Sequence, residues 1–107
     1  MMSKIDAINE SIHEHFCVTT EELKGRSQKR HIAEARMAAM VLVEKATGLR
    51  PTVIGHLYGK PDGDCLPNAR MRVKALYATD RLFRQSYDRV VAEIQKTPQD
   101  LSQGASL

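Results

Sequence analysis

The residue types best able to do chemistry lie in one stretch of the sequence, from Gly59 to Lys74. The stretch opens with glycine, proline and aspartate, which is a dense turn signal, and continues with a helical pattern. The amide of Asn68 lies near the start of that helix, and an amide can pair with the edge of adenine. Arg70 and Lys74 share a helical face and could hold phosphates. The stretch therefore has the residues of a helix that enters the major groove of duplex DNA.

Two short helices on either side of the turn form a helix-turn-helix candidate. The pattern predicts the first helix from Pro51 to Tyr58 and the second from Cys65 to Tyr77. In such a unit the first helix braces the second, whose N-terminal part meets the base edges. Helices joined by turns also occur in most helical bundles, so this pattern alone does not establish DNA binding. The predicted base-reading residues are Asp62, Gly63, Asp64, Cys65 and Asn68.

A second basic segment lies earlier in the chain, from Lys24 to His31, and holds four cations and no acid. Such a run is typical of an exposed loop, and its cations would neutralise phosphates and make binding sensitive to salt. The alternative is that these cations are simply solvated, as most surface cations are. The cations predicted to contact the DNA backbone or minor groove are Lys24, Arg26, Lys29, Arg30, Arg50, Lys60, Arg70, Arg72 and Lys74.

The elements that must position these residues are helical. The chain of 107 residues fits one domain, predicted over residues 1–97, with a disordered tail at 98–107. There is no Trp and little aromatic content, so the core must be aliphatic. The apolar spacing predicts an all-α, compact bundle of five to six helices that contains the helix-turn-helix. Its other predicted helices are Ser3–Phe16, a short helix ending at Gly25 and capped by threonine, His31–Thr47 and Asp80–Lys96.

The composition and the motifs argue against several classes of function. The net charge of +3 and the pI near 9.0 suit an anionic partner without requiring one. We find no phosphate-loop motif and no triad or paired carboxylates, so we expect no enzyme, no cofactor and no small-molecule substrate. Cys17 and Cys65 are interpreted as free thiols. The residues His13, His15, Cys17 and His31 lack the spacing of a metal site.

The sequence shows no signal for export or membrane insertion. Its start lacks the apolar run of a signal peptide, and the longest apolar stretch, Met37 to Val43, is too short to span a bilayer. We therefore expect a cytoplasmic, nucleoid-associated protein.

Three pieces of the sequence occur in the order found in one known family. They are IDAINESIHEHFCVTTEELKG, similar to the family's opening helices, RSQKRHIAEARMAAMVLVEKATG, similar to its basic loop and long helix, and VIGHLYGKPDGDCLPNA, similar to its Ile-Gly signature and recognition helix. On these pieces the segment from Ile5 to Leu76 resembles the C-terminal DNA-binding domain of the bacterial replication initiator DnaA, a Trp-repressor-like helix-turn-helix. The resemblance implies an all-α domain that binds double-stranded DNA.

The residues that would read the DNA depart from the family's pattern. Gly63 stands where the family has a histidine, and Asp64 and Cys65 replace its two hydroxyl residues. Gln28 falls where the family places an arginine in the minor groove, while Arg36 of the long helix is retained. The resemblance therefore adds Gln28 and Arg36 to the predicted backbone and minor-groove residues, and it implies a target sequence different from the family's.

The leading hypothesis is a sequence-specific binder of double-stranded DNA that regulates transcription or replication. A chain of 107 residues cannot hold the ATPase of an initiator, which favours a free-standing regulator. The alternative is an interaction module that does not bind DNA and modulates another regulator, because Asp62 and Asp64 would repel phosphate. A homodimer could also form through the last predicted helix, which carries Leu82, Phe83, Tyr87, Val90 and Val91.

Overall fold

The computed structural model describes residues 3–25, 29–59 and 65–95. Those residues form six α-helices and no strand, which confirms the all-α prediction. None of these helices combines the length and the apolar character needed to cross a bilayer. The predicted boundary at residue 97 and the tail at 98–107 lie outside the described residues. The helices are α1 Lys4–Phe16, α2 Thr20–Lys24, α3 Arg30–Thr47, α4 Pro51–Leu57, α5 Cys65–Thr79 and α6 Arg81–Gln95.

Polar side chains cap the starts of α1, α2 and α6. The Ser3 hydroxyl accepts a hydrogen bond from the Asp6 amide at 3.1 Å. Before α2, Thr19 and Glu22 each accept a hydrogen bond from the other's backbone amide, which is a capping box. Asp80 accepts one from the first turn of α6 at 3.1 Å. Each cap satisfies amides that have no partner within the helix, so local sequence determines where these helices begin.

The long helix α3 forms the centre of the core. It packs against α1, α2, α4 and α5, and α6 closes the bundle against α1 and α5. The small side chains of Ala35, Ala38 and Ala39 are fully buried and allow the neighbouring helices to approach closely. Phe83 of α6 packs edge-on against Phe16 of α1, with ring centroids 5.6 Å apart. The core is thus mainly aliphatic, with an aromatic contact between α1 and α6.

The apolar face of α6 packs into the chain's own core. Phe83, Tyr87 and Val90 are buried, and Val91 is half-buried against the same cluster. Leu82 is 74% exposed. Single exposed leucines are common on monomeric proteins. The expected homodimer is therefore left with Leu82 and part of Val91 to support it.

Arg36 stabilises the fold, which corrects the prediction that it contacts DNA. Its side chain is only 3% exposed. Its Nε donates to the Leu23 carbonyl at 2.7 Å and its Nη2 donates to the Glu22 carbonyl at 2.9 Å. Both carbonyls lie near the end of α2, where the last carbonyls of a helix need partners from outside it. Arg36 therefore fastens α2 to α3, burial lowers the pKa of its guanidinium, and a guanidinium held inside the fold cannot reach a phosphate.

The turn after α4 lies against the end of α2. Gly59 has a φ of 73°, in the left-handed region that glycine adopts without strain. A Cβ placed on Gly59 would lie 2.7 Å from the Lys24 carbonyl oxygen. No other residue type could make this backbone contact without displacing one of the two segments. The contact places the start of the basic segment beside the turn that leads to α5.

Tyr58, the neighbour of this glycine, ties the end of α4 to α1. Its side chain is fully buried, and its hydroxyl donates a hydrogen bond to Asn9 Oδ1. Burial raises the pKa of the phenol above its ordinary value of 10.0. The neutral phenol is therefore the form that the fold accommodates.

We expect Tyr58→Phe to lower the free energy of unfolding by about 1–2 kcal/mol near neutral pH, because Asn9 Oδ1 loses its buried donor. The folded-state pKa of Tyr58 lies above the unfolded one. The stability that depends on the neutral phenol is thus complete below about pH 10 and is lost as the pH rises through the folded pKa. Urea titrations of both proteins at neutral and alkaline pH measure this. A wild-type protein that loses no more stability than Tyr58→Phe on going to alkaline pH would contradict it.

Candidate nucleic-acid interface

Helix α5 is anchored by one apolar stripe and exposes its other sides. Leu66, in the first turn, is buried, so the start of the helix is held against the core. Pro67 and Asn68 beside it are exposed. Pro67 is the third residue of the helix, where its missing N–H costs little. The buried stripe, as the sequence predicted, consists of Leu66, Ala69, Val73 and Leu76.

The exposed residues of α5 form a ridge with a cationic flank on each side. Successive helical residues are rotated by about 100°, so Asn68 and Met71 lie on the side away from the buried stripe, and both are exposed. Arg70 and Lys74 lie along one flank, and Arg72 lies along the other. The sequence predicted Asn68 and the three cations. It did not single out Met71, whose only signal was its position off the apolar stripe.

Arg70 is engaged by Glu44 of α3. Its Nε donates to one carboxylate oxygen at 2.8 Å, and a terminal nitrogen donates to the other oxygen. This bidentate hydrogen bonding lowers the pKa of Glu44 and raises the pKa of Arg70. The carboxylate thus takes the place that a phosphate would take on Arg70. A contact between Arg70 and DNA would require this pair to open.

We expect Glu44→Gln to raise the affinity for random duplex DNA about threefold, because Arg70 gains freedom to bind phosphate. The slope of log affinity against log salt should steepen by up to about 0.9, the value for one additional phosphate contact. Fluorescence anisotropy over a salt series measures both quantities. The exposed Glu10 of α1 offers a control, because Glu10→Gln changes the net charge equally. Equal gains in the two variants would show that net charge, and not Arg70, is responsible.

The predicted cations of the basic segment that the structure describes are on the surface. Lys24, Lys29 and Arg30 are all exposed. Arg30 Nε also donates to Glu34 Oε2 at 3.1 Å, in a surface pair that costs little to break. The contact of Gly59 with the Lys24 carbonyl places the start of this segment next to the turn before α5. The two basic regions that the sequence identified separately are therefore neighbours at this point.

One further predicted backbone residue lies on the described surface, and the remaining predicted site residues lie outside it. Arg50 is exposed immediately before α4. Six others lie outside the described residues, as does the side chain of Cys65, and their roles stay predictions. These six are Arg26, Gln28, Lys60, Asp62, Gly63 and Asp64.

Charge is distributed unevenly over the helices. Helix α5 holds three cations and no acidic residue. The basic segment from Lys24 to His31 holds four cations and no acid. Helix α1, by contrast, holds three acidic residues and one lysine. The exposed side of α5, together with the adjoining basic segment, is therefore the surface best suited to a polyanion.

Two of the histidines considered for a metal site make contacts within the fold. His13 Nδ1 lies 2.8 Å from the Val18 carbonyl oxygen, across the end of α1. His15 pairs with Glu93 of α6. Both side chains therefore have roles in holding α1 in place.

Comparisons with known proteins identify the family. The family model of the bacterial DnaA protein helix-turn-helix matches residues 5–63, which run from the second residue of α1 through α4 and end two residues before α5. The chain is 32% identical over 94 residues to the chromosomal replication initiator protein DnaA of Lachnoclostridium phytofermentans, a match that covers 88% of this chain and 21% of that protein. It is 30% identical over 84 residues to the same-named protein of Flavobacterium psychrophilum, covering 78% and 18%. The chain spans about a fifth of the length of these relatives. It belongs to the bacterial DnaA helix-turn-helix family.

Proposed function

We propose that this chain binds double-stranded DNA sequence-specifically, with α5 as the recognition helix in the major groove. The observation that carries the proposal is the exposed face of α5, a helix without acidic residues of its own, on which Asn68 lies between flanks of cations. One helix fits the major groove, so residues on its ridge would face the base edges. Cations on the flanks would face the phosphates on either side. Membership of the DnaA helix-turn-helix family supports the same function.

The basic segment supplies further backbone contacts in this proposal. Lys24 is exposed next to Gly59 in the turn after α4. Lys29 and Arg30 are exposed at the start of α3, and Arg50 is exposed immediately before α4. Such phosphate contacts from outside the recognition helix would help to fix its position and register on the duplex. The proposal also keeps the predicted roles of the residues that the structure does not describe: Arg26, Gln28 and Lys60 at the backbone or minor groove, and Asp62, Gly63, Asp64 and Cys65 at the bases.

A salt series with a random-sequence duplex tests the proposal. Fluorescence anisotropy measures the association constant at each salt concentration. The logarithm of this constant should fall linearly with the logarithm of the salt concentration, with a slope of about −0.9 for each phosphate neutralised. Circular dichroism at each salt concentration controls for folding. If the folded protein bound no duplex at low salt, DNA binding would be disproved and the interaction module would become the leading function.

Two substitutions separate base reading from backbone contact. We expect Asn68→Ala to change the preferred base at one position of the site, with a loss of about 1–3 kcal/mol of discrimination there. We expect Lys29→Ala to weaken all duplexes alike and to leave the preference unchanged. Selection of bound duplexes from a random pool by each variant measures the preferences. An unchanged preference in Asn68→Ala would remove this residue from the base-reading set.

The proposed biological role is control of transcription or replication at the sites that this domain recognises. The named relatives are replication initiators, but the chain matches about a fifth of their length, so their activity is not transferred with the domain. Mapping the bound sites on the genome distinguishes a replication origin from promoters, and it also tests nucleoid association. Sedimentation tests the expected homodimer, for which Leu82 is the main exposed apolar residue on α6.

A further inference from the structure

Met71 is the large apolar side chain of α5 that is most open to solvent, at 72% exposed. Leu66, Val73 and Leu76 of the same helix are buried, and Tyr77 donates a hydrogen bond to Asp88 of α6. Met71 therefore contributes little to the packing of the fold. Its position, and not its packing, must explain any role that it has.

That position is the outer ridge of the proposed recognition helix. Met71 follows Asn68 by three residues, so the two side chains are neighbours on the exposed side of α5. The two residues are separated by about 4.5 Å along the helix axis, comparable to the spacing of about 3.4 Å between successive bases of a strand. Arg70 and Arg72 flank Met71 on opposite sides. When the flanks hold phosphates, Met71 faces a base pair next to the one that Asn68 contacts.

The chemistry of methionine limits what it can read there. A thioether cannot donate a hydrogen bond and accepts only weakly, so it is a poor partner for the polar groups of a base edge. The apolar group that bases present in the major groove is the 5-methyl group of thymine, and 5-methylcytosine carries a methyl group on the same ring atom. The flexible, polarisable side chain of methionine suits such a contact.

We propose that Met71 determines part of the sequence specificity by packing against the 5-methyl group of a pyrimidine in the major groove. The inference rests on the proposed function and deepens it, because it names a group that the recognition helix reads. Asn68 then supplies polar readout and Met71 supplies apolar readout of adjacent base pairs.

The experiment removes or adds one methyl group in a duplex selected by the wild-type protein. In one arm each thymine is replaced in turn by deoxyuridine, and in the other each cytosine is replaced by 5-methylcytosine. Wild-type affinity should change at one position by about fourfold, as for one methyl-sized group buried or released. That change should disappear in Met71→Ala. A loss with deoxyuridine identifies thymine as the source of the methyl group, and a gain with 5-methylcytosine identifies methylated cytosine.

Leu82→Ala is the matched control, since Leu82 is 74% exposed on α6 and is similarly large and apolar. It should keep the wild-type response to the methyl group. If Met71→Ala responded to the methyl group as the wild type does, or if no position responded in either arm, the inference would be overturned while DNA binding itself stood. Absence of any duplex binding would instead overturn the proposed function.

Discussion

Replacing Arg72 and Lys74 together by alanine is expected to weaken binding to random duplex DNA about 50-fold at moderate salt. The two residues lie on opposite flanks of the ridge of α5 and are exposed. If each neutralises one phosphate, their loss lowers the slope of log affinity against log salt by about 2. The loss of affinity should be nearly independent of the DNA sequence, because the phosphates are the same in every sequence. Anisotropy titrations over a salt series on several duplexes measure the affinity and the slope together.

A matched pair of cations elsewhere on the surface controls for total charge. Lys4 of α1 and Arg89 of α6 are exposed, and their joint replacement by alanine removes the same charge. This control should keep nearly all of the wild-type slope. Equal loss in both double variants would mean that binding depends on net charge and not on the face of α5.

Gly59→Ala is expected to lower the free energy of unfolding by about 2–4 kcal/mol. A positive φ costs an alanine roughly 1–2 kcal/mol, and the added methyl group would lie 2.7 Å from the Lys24 carbonyl oxygen. Relieving that overlap costs about 1–3 kcal/mol more. Because the overlap pushes the basic segment away from the turn before α5, duplex affinity should fall as well. Urea unfolding and anisotropy on the same preparation measure the two effects.

Gly48→Ala separates the steric contact from the cost of the backbone conformation. Gly48 has a nearly identical φ of 70°, but among the described residues other than its chain neighbours no atom lies within 4 Å of the position that its Cβ would take. The Gly48→Ala variant should lose only the part of the free energy of unfolding that comes from the positive φ, about 1–2 kcal/mol, and should keep its duplex affinity. If the two glycine variants lost the same stability and the same affinity, the contact between Gly59 and Lys24 would have no role in positioning the interface.

Much of the fold could be predicted because its signals are local. The cap at Thr19, the glycine at Gly48 and the apolar spacing of α5 each act within a few residues of where they occur in sequence. Helix boundaries therefore agreed within two residues, the largest difference being the extension of α5 to Thr79. Val53 and Leu82 were exceptions to the predicted apolar faces, at 43% and 74% exposed, because position on the helix and not residue type determines burial.

The errors and omissions at the site come from contacts between residues distant in sequence. Arg36 was assigned to DNA because the family resemblance retains it, yet its partners are carbonyls 13 and 14 positions earlier. A signal was present: Ile32, Ala39 and Val43, spaced around it by helical intervals, are all buried. The pair of Arg70 and Glu44 spans 26 positions and left no pattern to find.

Amide chemical-shift mapping of the isotope-labelled protein with a selected duplex is the most direct test of where DNA binds. The largest shifts should occur on α5 at Asn68, Met71 and Arg72 and in the basic segment at Lys29, while the acidic surface of α1 around Glu10 should stay unchanged. Largest shifts along α1, with α5 unaffected, would contradict the assignment of α5 as the recognition helix.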